Sequence, residues 1–97
     1  MIVGKSVDEK TLVTITRAAL SIDGVQSVLD LRTMYLGSSR LFVVMEVHLQ
    51  DHFTTDQIEH ITDEIKRKIS RRVPLVKHVQ IEVETPDDEI KAKRRKK

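Results

Sequence analysis

Four side chains in this sequence have the type and spacing to hold a cation. They are Glu46 and His48, two apart, and Glu82 and Glu84, two apart. Residues two apart on a strand point to the same side of a sheet. If the two segments are neighbouring strands, three carboxylates and one imidazole lie side by side. Such donors suit a harder or borderline ion such as Mn²⁺ or Fe²⁺, or weakly held Zn²⁺. The plainer alternative is a solvated polar face, because exposed charges need no ligand. His60, next to Glu59, is the runner-up metal ligand, with a surface histidine as its plainer reading. His52 and His78 fall at the boundaries of elements and read as solvated.

Other chemistry is poorly provided for. The chain has no cysteine, so disulfides and thiolate metal sites are excluded. It has no Gly-rich phosphate loop and no serine in a nucleophile elbow. Its histidines and carboxylates are scattered over solvent faces rather than gathered in a pocket. The sequence therefore reads as a non-enzyme that requires no cofactor, with a divalent cation as the one ligand to consider.

The elements that must position these residues are legible from periodicity. Ser6 and Glu9 form a capping box, and Leu12, Ile15, Ala19 and Ile22 recur at helical spacing. These features predict a helix over about 7–22, with Gly24 as its C-cap. Val25 to Tyr35 is the first strand, and Gly37-Ser38-Ser39 the turn. The second strand, Leu41 to Gln50, alternates. Leu41, Val43, Met45, Val47 and Leu49 point to the core, and Phe42, Val44, Glu46, His48 and Gln50 point away. That second face is half apolar, so it is exposed or shared with a partner.

Thr54 and Gln57 form a second capping box, with Phe53 and Ile58 as a hydrophobic staple. Ile58, Ile61, Ile65 and Ile69 make the buried stripe of this helix, which stops at Val73-Pro74. Val76 to Glu84 is the third strand, with Val79, Ile81 and Val83 inward. The order αββαβ, with a helix between the second and third strands, implies a parallel crossover. The fold class is α+β: a two-layer sandwich, with a three-stranded mixed sheet and two helices on one face.

Size and charge narrow the function further. At 97 residues the chain is one domain with a small core, which a partner subunit would help to stabilise. Only Tyr35, Phe42 and Phe53 are aromatic. The longest apolar run, Leu41 to Met45, is far short of the ~20 residues that span a bilayer. No signal peptide is visible, so the piece itself is expected to be soluble. Pro86 closes the domain. Residues 87–97 hold six Lys/Arg and three Asp/Glu, whereas the rest holds eleven basic and twelve acidic residues. The high pI thus belongs to a basic tail, expected to be disordered. Its readings are a solvated end, a contact with anionic lipid, or nucleic-acid binding. The last fits worst, because the folded part offers no basic, aromatic-bearing sheet.

Several segments carry a family resemblance. Ile2-Val3-Gly4-Lys5-Ser6 resembles the segment that follows the last transmembrane helix in one branch of the cation diffusion facilitators. Gly24-Val25 resembles the end of the first helix of that family's cytosolic domain. Leu31-Arg32-Thr33-Met34-Tyr35-Leu36-Gly37 resembles the branch's strand and turn and is the most specific stretch. Phe42-Val43-Val44 leading to Val47 and Asp51, then Arg71-Arg72-Val73-Pro74 and Val79 to Glu84, keep the family order. The resemblance covers residues 1–86.

It implies a metallochaperone-like cytosolic domain of a divalent-cation/proton antiporter of the zinc-transporter type. It further implies a homodimer at the cytoplasmic face of the membrane, joined to six membrane helices, with regulation by cytosolic metal. Where metal-binding relatives carry histidines, this chain has Leu29, Glu46, Glu59 and Glu82, with Glu84 at the aspartate position. A conventional zinc site is therefore not expected here, and weak binding is. The alternative is a free-standing small α/β binding module alike only in topology. Six apolar helices encoded upstream, two of them bearing paired Asp and His, would decide against it.

Overall fold

The computed structural model describes residues 7–37 and 39–84. The order is α1 (Glu9–Leu20), β1 (Val25–Tyr35), β2 (Leu41–Leu49), α2 (Thr55–Arg72) and β3 (Val76–Glu84). The sheet runs β1-β2-β3, with β1 antiparallel and β2 parallel to their respective neighbours β2 and β3. It is the expected αββαβ sandwich. The basic tail and the turn residue Ser38 lie outside the described residues.

The central strand organises the core. Leu41, Val43, Met45, Val47 and Leu49 are all fully buried. Ile15, Ala18 and Ala19 of α1 and Ile61, Ile65 and Ile69 of α2 close over them. The α2 stripe falls at steps of four, which keeps one helical face on the sheet. Its start is the expected capping box: the Thr54 backbone N–H donates to Gln57 Oε1 at 2.8 Å, and the Gln57 N–H donates to Thr54 Oγ1 at 3.1 Å. Phe53 and Ile58, on either side of it, are partly buried against the core.

The ends of α1 differ from expectation. Its N-cap is Asp8, not Ser6, which lies outside the described residues. The Asp8 carboxylate accepts from the Thr11 N–H at 3.0 Å. A charged acceptor at the positive end of a helix makes a strong cap. With Asp8 in that role Glu9 is the first helical residue, so it cannot close a box on Ser6. Hydrogen bonding from Thr11 holds the Asp8 carboxyl below its ordinary pKa. At the other end the cap is Ser21, whose N–H reaches Arg17 O at 3.0 Å. Gly24 serves the following turn instead, at φ +96°.

Gly24 is also packed tightly against Ile61 and Phe53. A Cβ on it would lie 2.9 Å from Ile61 Cδ1 and 2.9 Å from Phe53 Cζ. Both are anchored core groups, and the left-handed φ resists a side chain in any case. Gly24→Ala is therefore expected to destabilise the fold by roughly 2–3 kcal/mol. Thermal unfolding should show a drop of about 10 °C or more in a domain this small. An unchanged Tm would mean that the turn is looser than the contacts imply.

Candidate functional site

Register fixes which side chains share the sheet face that the helices leave bare. Across β2 and β3 the partners are Phe42 with His78, Val44 with Gln80, Glu46 with Glu82 and His48 with Glu84. Across β1 and β2 they are Met34 with Phe42, Arg32 with Val44, Asp30 with Glu46 and Ser27 with His48. Paired residues point the same way, so the face divides into two zones. One end is apolar, built of Met34, Phe42 and Val44. The His78 ring stands edge-on to Phe42 at 5.6 Å and 81°. His78 is thus exposed but not merely solvated. The other end gathers Asp30, Glu46, Glu82, Glu84 and His48.

The four predicted ligands stand on this one face as neighbours across β2 and β3. Glu46, His48 and Glu84 are half-buried and Glu82 is exposed. The electrostatics centre on Glu46, whose pKa is raised above the ordinary value. Partial loss of water is the largest cause. Next come repulsion from Glu84 and a hydrogen bond with it, followed by the charges of Glu82 and Asp30. Crowded carboxylates favour the state in which one keeps its proton. A cation brought to the face would relieve the same repulsion. Among the described residues, however, no three His, Asp or Glu side chains of one subunit are grouped closely enough to hold a metal ion.

Asp30 is the member that sequence reasoning missed. β1 has register shifts between Val25 and Ser27 and between Val28 and Asp30. These irregularities break the simple count of two that worked on β2 and β3. Asp30 also accepts from Arg32 Nε at 3.0 Å, so part of its charge is answered locally. Leu29, which the resemblance placed at a ligand position, is 47% exposed.

His60 stands elsewhere. It lies on the exposed side of α2, with Nε2 3.9 Å from Glu64 Oε1. It helps line a cavity of about 470 Å³ with Asp23, Phe53, Asp56, Gln57, Ile61 and Glu64. Its charges belong to a helix surface rather than to the sheet face. His52 is exposed, in a left-handed backbone conformation at φ 72°.

The family described as "cation efflux protein, cytoplasmic domain" matches residues 7–86, nearly all of the chain. This chain is a member of that family. Its domain is a dimerisation unit of a transporter rather than a known class of enzyme. Solved structures of the MamM C-terminal domain share its fold. A histidine-to-glutamate variant superposes with TM-score 0.74 at 21% identity, over 79% of this chain and 93% of that one. An aspartate-to-alanine variant gives 0.74 at 21%, over 79% and 95%. The copper form of an aspartate-to-histidine variant gives 0.74 at 19%, over 79% and 95%. A search of curated proteins finds no match. No helix among the described residues of the cation efflux domain is long and apolar enough to cross a membrane.

The raised pKa of Glu46 ties stability to pH. Its carboxyl holds a proton to higher pH in the folded chain than in the unfolded one. The folded state is therefore spared below the ordinary value and loses stability as pH rises through the folded pKa. With chelator present, Glu46→Gln should raise Tm at pH 7. That gain should fade below about pH 4, where the parent carboxyl is protonated in both states. A variant less stable than the parent at pH 7 would show that the Glu46 charge stabilises the fold rather than opposing it.

Proposed function

We propose that this domain serves a divalent-cation/proton antiporter, with zinc as the first cation to test. In this reading it pairs two subunits through its bare sheet face and senses cytosolic metal at the acidic end of that face. The observation that carries the proposal is the two-zone face itself. Its apolar end, Met34 (55% exposed) with half-buried Phe42 and Val44, has surface to gain from a second copy. Its acidic end carries neighbouring carboxylates, with the Glu46 pKa raised by loss of water and by the charges beside it, that a cation would neutralise. Family membership supports the pairing and a membrane part beside it. A copper form among the MamM domain structures supports an ability of the fold to accept metal.

Metal binding should be weaker than at a histidine-rich zinc site, because lone carboxylates are poorer zinc ligands. It should weaken further as pH falls, when protons compete for Glu46 and His48. Calorimetric titration of the metal-free domain with Zn²⁺ and Mn²⁺ tests this. The double variant Glu82→Gln/Glu84→Gln should bind neither ion at this face while keeping its fold. If it binds Zn²⁺ like the parent, the face is merely polar and His60, His52 or His78 holds the ion.

Pairing is tested separately. Sedimentation at high micromolar concentration should show a homodimer, and a monomer there would sink the proposal. We also propose that the folded unit ends by Pro86, as the extent of the family match supports. Deleting residues 87–97 should leave the melting temperature unchanged. A large fall would identify those residues as a docked element. If they are instead a free basic segment, anionic lipid is the contact that their charge suits.

A further inference from the structure

The topology separates charge along the domain. At one end lie the start of α1, the β1–β2 turn, the last turn of α2 and the start of β3. The Leu41 N–H donates to Leu75 O at 2.9 Å and ties turn, helix end and strand together. Arg40, Arg71, Arg72 and Lys77 are exposed there. The acids nearby are Asp8, whose carboxylate is engaged as the helix cap, Glu9, and Glu64, which lines a groove with Arg67, Lys68 and Arg71. At the other end the Gln50 N–H donates to Gly24 O at 2.9 Å. Asp23, Asp51, Asp56 and Glu59 are exposed there.

Helix α2 carries the same polarity along its length. Asp56, Glu59 and Asp63 occupy its first half; Glu64 opens the second, followed by Lys66, Arg67, Lys68, Arg71 and Arg72. None of these five cations pairs with a carboxylate among the described residues; Lys68 Nζ instead donates to Ser21 Oγ at 2.6 Å. The helix dipole accounts for cations at the end of α2. It does not account for Arg40 and Lys77, which stand on other elements.

We infer that the basic end, built on Arg40, Arg71, Arg72 and Lys77, docks on the anionic headgroups of a membrane surface. This rests on the reading of the domain as part of a membrane transporter. The chain enters α1 at this same end, so a membrane part that precedes the domain meets its basic side first. The acidic end, with the metal-sensing face beside it, is then held away from the bilayer by like charge. Bound cations at that face would lower this repulsion. The attraction is screened within about 8–10 Å at ordinary salt, so it acts only on close approach.

Vesicle flotation with the 97-residue chain tests the inference. Binding is expected to phosphatidylcholine vesicles containing about one-third phosphatidylserine and not to phosphatidylcholine alone. Each basic residue neutralised should cost about fivefold in partition, so Arg40→Gln/Arg71→Gln/Arg72→Gln/Lys77→Gln should lose on the order of a hundredfold or more. Deletion of residues 87–97 separates the tail from the folded surface. If that deletion abolishes binding while the fourfold variant retains it, the tail is the membrane contact and the inference fails. Orientation gives a second readout in otherwise native protein. The chain lacks cysteine, so Ser39→Cys and Asp51→Cys each accept a single fluorophore. A headgroup quencher should dim the label at position 39 and spare the one at 51. Equal quenching, or no binding to the anionic vesicles at low salt, would overturn the docking surface. Neither outcome bears on the dimer or on the metal titration, so the proposed function is judged independently.

Discussion

Everything in this domain hangs on the alternation of β2. The strand is hydrogen-bonded on both sides, and every second residue from Leu41 to Leu49 is fully buried. A slip of one residue would carry Glu46 and His48 into the core and expel Val43 to Val47. The buried face therefore locks the register of the exposed one. Because β1 and β3 are both read against β2, the carboxylates of three strands are placed by a constraint that is purely hydrophobic.

The two helices complete that constraint and leave one sheet face bare. A sheet of three strands with one covered side has little core to spare, and Ile, Leu, Val and Ala supply nearly all of it. The bare face is where the domain has surface to give to a second copy. In the proposed reading, its apolar zone makes the contact and its acidic zone responds to cations. Pairing two copies there would bring like charge together. Within one subunit, loss of water is the main cause of the raised Glu46 pKa, and the charges of Glu84, Glu82 and Asp30 already add to it.

Charge is arranged on a larger scale by the same topology. The antiparallel run of α1 against β1 and the parallel crossover through α2 send both helix polarity and turn residues to defined ends. Basic residues distant in sequence, Arg40 and Lys77, thereby join Arg71 and Arg72 on one surface. An average charge near neutrality conceals this separation.

Much of the fold was legible in the sequence, and for local reasons. The Thr54–Gln57 box and the alternation from Leu41 need only nearest neighbours in the chain, and both stand in the structure. The start of α1 was misread because two caps compete within three residues, and Asp8 prevails over Ser6 by its charge and by the bond from Thr11. The candidate site divides the same way. Glu46 with His48, and Glu82 with Glu84, followed from a period of two on regular strands. Asp30, the edge contact of Phe42 with His78 and the separation of charge did not follow. Bulges on β1 and the pairing of strands far apart in sequence set them, and those depend on how the layers pack rather than on any local pattern.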